Sequence, residues 1–96
     1  MTKLAIIDLG TNACNLLIAA YQGKSYQILY QGKEVVKLGK GGIDKNQLTE
    51  AGLERAISAI RKHQDRITRF EASEIVIIAT SAIRHAVHRD WIQAQI

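Results

Sequence analysis

Apolar positions along the chain fall first into short runs with the period of strands and then into the wider spacing of a helix. Leu4-Ala5-Ile6-Ile7 is a brief apolar run that Asp8 closes, and Cys14 to Tyr21 forms a second run of strand length. Tyr26–Tyr30 and Glu34–Leu38 add extended structure, broken at Gln31-Gly32, with hairpins as the natural connections. Gly39-Lys40-Gly41-Gly42 cannot propagate a regular element. Beyond it Thr49 is placed to cap a helix that carries Leu53, Ala56, Ile57, Ile60, Ile67 and Phe70 on one face. Glu74-Ile75-Val76-Ile77-Ile78-Ala79 is almost wholly apolar and β-branched, the pattern of a strand buried on both faces of a parallel sheet, and a helical tail with Trp91 and Ile92 follows.

The order βββαβα, an antiparallel meander leading through a helix crossover to a central strand, predicts the first part of a ribonuclease-H-like α/β layer, incomplete at its C-terminus, with the first and fourth strands adjacent. At 96 residues and 47% hydrophobic content the chain is read as one unit, 1–96, the amino-terminal part of the first such domain. The net charge of +4 and a sequence pI of about 9.5 favour anionic partners. Nine acidic residues are interspersed, however, and no Lys/Arg run of a nucleic-acid arm is present, so a phosphorylated substrate is expected rather than DNA or RNA. A single cysteine, Cys14, permits no internal disulfide, and no apolar run resembles a signal peptide or approaches the roughly 20 residues of a membrane span. A cytoplasmic location is the resulting expectation.

Candidate chemistry gathers at two strand ends. In Asp8-Leu9-Gly10-Thr11-Asn12 the strand delivers a carboxylate that can hold Mg2+ or orient water. Gly10 can take positive φ, and turn amides with the Thr11 hydroxyl and Asn12 amide can form an anion nest, although the same residues also suit a plain hairpin. Ala79-Thr80-Ser81-Ala82-Ile83-Arg84 follows the buried strand, so Ser81 and the Arg84 guanidinium would emerge at the carboxyl edge of the sheet beside the first loop. His63, His85 and His88 lack further metal ligands and read as solvated. Arg61, Lys62, Arg66 and Arg69, with Asp65 among them, read as a solvated helix face, and Lys37 and Lys40 as solvated flanks of the glycine loop.

Taken together, Ile7-Asp8-Leu9-Gly10-Thr11-Asn12, Val36-Lys37-Leu38-Gly39-Lys40-Gly41-Gly42, the Thr49–Phe70 helix and Ala79-Thr80-Ser81-Ala82-Ile83-Arg84 resemble the amino-terminal region of the exopolyphosphatase and guanosine pentaphosphate phosphohydrolase family. The first motif is shared with actin, sugar kinases and heat-shock chaperone ATPases; the Thr-Ser-Ala-x-Arg motif is more particular. The resemblance implies Mg2+-assisted hydrolysis of a terminal phosphoanhydride of polyphosphate or guanosine pentaphosphate. By the same resemblance Asp8 would serve the metal, and Gly10, Thr11, Asn12, Ser81 and Arg84 would bind phosphate. Asn15 departs from the Arg or His that many relatives carry there, and the family's general base and second phosphate loop are expected beyond Ile96, so no catalytic residue is assigned and the isolated chain is expected to be inactive. A piece of an actin-like ATPase or sugar kinase, and a non-catalytic binding or assembly module, are the competing readings. An unpaired strand edge and the stripe of Trp91, Ile92 and Ile96 predict self-association into a homo-oligomer.

Overall fold

A computed structural model describes residues 1–38, 43–44 and 47–79. The expected glycine loop at 39–42, the hexapeptide beyond Ala79, and the helical tail with His85, His88, Trp91, Ile92 and Ile96 lie outside the described residues. Strand β1 (Thr2–Leu9) pairs antiparallel with β2 (Ala13–Gln22), and β2 with β3 (Ser25–Val35). Next come the two-residue strands β4 (Ile43–Asp44) and β5 (Gln47–Leu48), which pair with each other, then helix α1 (Glu50–Phe70) and β6 (Glu74–Ala79). Strand order is β3-β2-β1-β6, with β6 parallel to β1. The adjacency of the first strand and the strand after the helix is therefore as the sequence predicts, while the β4/β5 ladder is an addition to it.

Alternation in β1 and β2 decides which face is covered. Ala5, Ile7 and Leu9 are buried on β1 and lie opposite Ile18, Leu16 and Cys14 on β2, all of them buried and facing α1. Helix α1 seals this face with Ala56, Ala59, Ile60 and Ile67, and Val36 and Leu38 complete the core. Leu53, Ile57 and Phe70 are only half-buried, so the apolar stripe is centred one position from where the sequence places it. The start of α1 is fixed as expected, by the Thr49 Oγ1 accepting from the Gly52 N–H at 3.1 Å.

Gln31-Gly32 is not a break. Strand β3 runs through it, and its irregularity sits earlier, where the register against β2 shifts between Ile18 and Ala19 and leaves Leu29 as the extra residue. Glycine at 32 has a packing reason: a Cβ there would stand 2.9 Å from Cε2 of the Tyr30 ring. That ring packs on Phe70 (5.5 Å between centroids) and lies under the Arg66 guanidinium (5.3 Å), tying β3 to α1. Gly23, at φ +59 in the two-residue turn between β2 and β3, is where a left-handed backbone is needed.

Strand β6 differs from expectation. Among the described residues it has a partner on one edge only, and Ile75, Val76 and Ile78 are 41%, 45% and 52% exposed rather than buried on both faces. Its apolar run reads as central because both faces call for cover, yet in the described layer only Ile77 and Ala79 pack against the core. No described helix is long and apolar enough to cross a membrane.

Helix α1 ends with Glu71 in the left-handed region (φ 58), its N–H donating to the Thr68 carbonyl while the Ala72 N–H donates to that of Ile67. A side chain is strained there. Glu71→Gly is expected to stabilise the chain by about 1 kcal/mol, read as a rise in thermal midpoint of roughly 4–8 °C by circular dichroism; an unchanged or lower midpoint would refute the assignment of strain to this cap.

Candidate functional site

The register of β1 sets the first element of the site. With Ile7 and Leu9 fully buried toward α1, Asp8 is turned to the opposite face and is exposed at the carboxyl end of the strand. Asp8 lies opposite Asn15 on β2, which lies opposite Lys33 on β3, so a carboxylate, an amide and an ammonium form one cross-strand row. All three are exposed. Lys33 was not among the residues singled out from sequence; counting register through the two hairpins would have found it.

Residues 10–13 form the tight turn between β1 and β2, and its hydrogen bonds differ from those of a glycine-rich nest. Gly10 does not adopt positive φ; the described residues that do are Gly23, Lys37 and Glu71. Its N–H is engaged within the turn, donating to the Ala13 carbonyl at 2.9 Å. The two central carbonyls are held from outside: Thr11 O accepts from the Leu38 N–H at 2.6 Å, and Asn12 O accepts from the Val36 and Lys37 N–H groups at 2.9 and 3.2 Å. Across a trans peptide the following N–H points away from its carbonyl, so the Asn12 and Ala13 N–H groups are turned to the side opposite residues 36–38. The Thr11 side chain is half-buried and the Asn12 side chain exposed. Among the expected site residues the structure thus brings together Asp8, Gly10, Thr11 and Asn12. Ser81 and Arg84 lie outside the described residues; the pairing of Leu9 with Ala79 sets the last residue of β6 beside the last of β1.

Two side chains of α1 hold this end of the sheet, and neither was recognised from sequence. Arg55 donates through Nε to the Val36 carbonyl at 2.5 Å and through Nη2 to that of Lys37 at 3.0 Å. His63, expected to be solvated, is buried (3% exposed), its Nε2 lying 2.7 Å from the Cys14 carbonyl. A carbonyl only accepts, so Nε2 carries a proton. The basic residues Arg61, Lys62, Arg66 and Arg69 are exposed as expected, with Lys62 paired to Glu34 (3.2 Å) and Arg69 to Asp65 (3.0 Å). Arg61, Lys62 and Arg66 border a groove of about 820 Å3 between β3 and α1, where Glu34, Glu54 and Asp65 alternate with the cations and leave no one-signed cradle for an anion.

Among the described residues no three His, Cys, Asp or Glu side chains cluster as a metal site. One exposed carboxylate is nevertheless the kind of donor Mg2+ uses, since that ion is commonly held by one or two carboxylates together with waters and substrate phosphates. Asp8 fits such a role.

The model of the Ppx/GppA phosphatase family matches residues 17–96. The chain belongs to that family. A bifunctional 3-dehydroquinate synthase/phosphatase of Fusobacterium nucleatum is 36% identical over 95 residues, covering 91% of this chain and 14% of that protein. The crystal structure of an exopolyphosphatase from Cytophaga hutchinsonii superposes with a TM-score of 0.85 at 29% identity, covering 99% of this chain and 32% of the other. The type II variant of the Aquifex aeolicus Ppx/GppA phosphatase gives 0.81 at 23% identity, which speaks to the fold alone, and again 32% of its length is covered. The chain therefore spans about a third of the solved relatives, and its sheet and crossover helix are the ribonuclease-H-like layer of that family.

Cys14, at the exit of the turn, offers a chemical probe of this end of the sheet. Burial, then the negative charges of Asp8 and Glu34, push its thiol from the ordinary 9.0 up to about 12. The protonated thiol is thus favoured by folding: this contribution is complete below pH 9 and is lost as pH rises from 9 toward 12, because the unfolded chain ionises first. Alkylation by iodoacetamide at pH 8.5 is expected to be at least tenfold slower in the native than in the urea-unfolded chain, and between pH 9 and 11 the wild type should lose stability faster than Cys14→Ala. Parallel stability curves for the two would show that the thiol does not sense this environment.

Proposed function

We propose that the chain is the phosphate-binding amino-terminal portion of an exopolyphosphatase or guanosine pentaphosphate phosphohydrolase, forming the first part of a ribonuclease-H-like domain. The observation that carries this reading is the turn at 10–13. Its central carbonyls are drawn to one side by residues 36–38, which leaves the Asn12 and Ala13 N–H groups on the other side, at the end of the strand that carries an exposed Asp8. N–H groups presented in this way suit phosphate oxygens. Thr11 and Asn12 supply further donors, Gly10 keeps the turn free of a side chain, and Ser81 and Arg84, following β6, would close the site from the neighbouring strand. Arg84 is assigned the bidentate grip on the phosphoryl group that only a guanidinium fork provides. Asp8 would hold Mg2+, which supplies charge neutralisation between phosphate oxygens when bound.

Transfer of a phosphoryl group to water depends on positioning and on charge stabilisation around the transferred group, together with a base to orient the water. By the family resemblance that base and a second phosphate loop belong to sequence beyond residue 96, so these 96 residues are proposed to bind without turnover.

Titration of the 15N-labelled chain with tripolyphosphate is the test, with and without Mg2+. The expected outcome is shifts centred on Thr11, Asn12 and Ala13, with Arg84→Ala weakening binding at least tenfold and Asp8→Asn removing the Mg2+ enhancement. Shifts confined to Arg61–Arg69 and insensitive to Arg84→Ala would place the anion on the basic helix and end the proposal. Phosphate release from polyphosphate should be at background for this chain, and comparable turnover by it and by a full-length relative would show that the chemistry needs nothing beyond Ile96.

A further inference from the structure

Lys37 adopts φ +48, a left-handed conformation that a residue with a Cβ rarely holds without support from its surroundings. Here Arg55 provides that support. The Arg55 guanidinium spans the consecutive carbonyls of Val36 and Lys37, at 2.5 and 3.0 Å, in the fork geometry that an ammonium cannot reproduce. With the backbone curled at Lys37, the three successive N–H groups of Val36, Lys37 and Leu38 all reach the two central carbonyls of the turn, Asn12 O and Thr11 O. A strand of ordinary twist would turn alternate N–H groups to opposite edges and could not make these three bonds to neighbouring acceptors.

We propose that Arg55 is a positioning residue for the phosphate-binding turn. It acts through the left-handed backbone at Lys37, and it touches neither phosphate nor metal. This rests on the reading of residues 10–13 as the phosphate loop and extends it: the outward aim of the Asn12 and Ala13 N–H groups is set from α1, through the carbonyls of residues 36 and 37. Removing the guanidinium frees two carbonyls, lets residue 37 relax toward negative φ, and withdraws the donors that hold Thr11 O and Asn12 O. The turn then keeps its place in the hairpin but loses its fixed orientation.

The experiment compares wild type, Arg55→Gln, Arg55→Lys, Lys37→Gly and the double variant Arg55→Gln/Lys37→Gly by amide hydrogen exchange and by tripolyphosphate titration. Arg55→Gln is expected to speed exchange of the Val36, Lys37 and Leu38 amides at least tenfold relative to those of β1, and to weaken tripolyphosphate binding by a similar factor. Arg55→Lys should recover little of either. Glycine at 37 adopts the left-handed backbone without strain, so in that background the loss caused by Arg55→Gln should shrink to about threefold or less. Unchanged exchange at Leu38 in Arg55→Gln would overturn the proposal. So would a uniform rise in exchange through the whole sheet that Lys37→Gly leaves as it is, since Arg55 would then be holding the helix rather than the turn. Wild type that shows the exchange pattern but no tripolyphosphate shifts at Thr11–Ala13 would leave the clamp standing and remove the phosphate assignment, so the two readings fail by different signs.

Discussion

Where the carbonyl oxygens of Thr11 and Asn12 go is the constraint on which the carboxyl end of the sheet depends. These two groups sit in a turn, beyond the reach of the ladder between β1 and β2, and a polar backbone group left unpaired beside a packed core is costly. Residues 36–38 resolve this by leaving β3 and donating three N–H groups to them. The solution has its own cost, a left-handed residue at Lys37 of about 1–3 kcal/mol. It is offset by the same segment, because Val36 and Leu38 are fully buried on either side of Lys37, and each such side chain contributes about 1.5–3 kcal/mol. Two burials and three hydrogen bonds, together with the Arg55 fork on the Val36 and Lys37 carbonyls, outweigh one strained residue, so the curl is stable without glycine.

Helix α1 is fixed against this arrangement at two points. Arg55 grips the carbonyls of residues 36 and 37, and His63 donates to the carbonyl of Cys14, where the turn passes into β2. Eight residues separate the two anchors, about 12 Å along the axis. Between them Ala56, Ala59 and Ile60 fill the space over the sheet. The small side chains allow close approach of helix and strands, which is why a buried imidazole and a half-buried guanidinium can reach main-chain oxygens on β2 and at the end of β3. Packing and polar anchoring are thus one arrangement, with the apolar contacts setting the distance at which the hydrogen bonds form.

Much of this layer was legible in the chain because it rests on local rules. Alternation at Ala5, Ile7 and Leu9, the apolar β2 run, and Thr49 ahead of a helical pattern each announce an element without reference to distant residues. What failed to read was decided at long range. Gly32 looks like a breaker until the Tyr30 ring is seen lying over it. His63 looks like a solvated residue on a polar stretch until its partner, 49 positions away, is known. Arg55 is one basic residue among several on α1, and its partners at Val36 and Lys37 become apparent only once the helix is docked. For the site, Asp8 and the turn were visible as a motif, whereas the direction in which the turn presents its N–H groups depends on residues 36–38 and could not be read from the motif at all.

The position of Asp8 follows from the same core. Strand period two means that burying Ile7 and Leu9 obliges Asp8 to face outward, and a slip of one residue would drive the carboxylate beneath α1. The hydrophobic effect therefore places a charge it has no direct interaction with. Among the described residues no ion pair engages that charge, and its field reaches Cys14 on the far face of the sheet, where it helps to keep the thiol protonated. A carboxylate uncompensated to this degree repels any anion brought to the turn beside it. Phosphate and Asp8 can share the end of β1 only with positive charge between them, and the backbone of Lys33, the cation of the same cross-strand row, is two strands away, about 10 Å by strand spacing. On the proposed reading a small, mobile cation at Asp8 itself would supply that charge, which is the chemical sense of a lone hard-oxygen donor at a strand end.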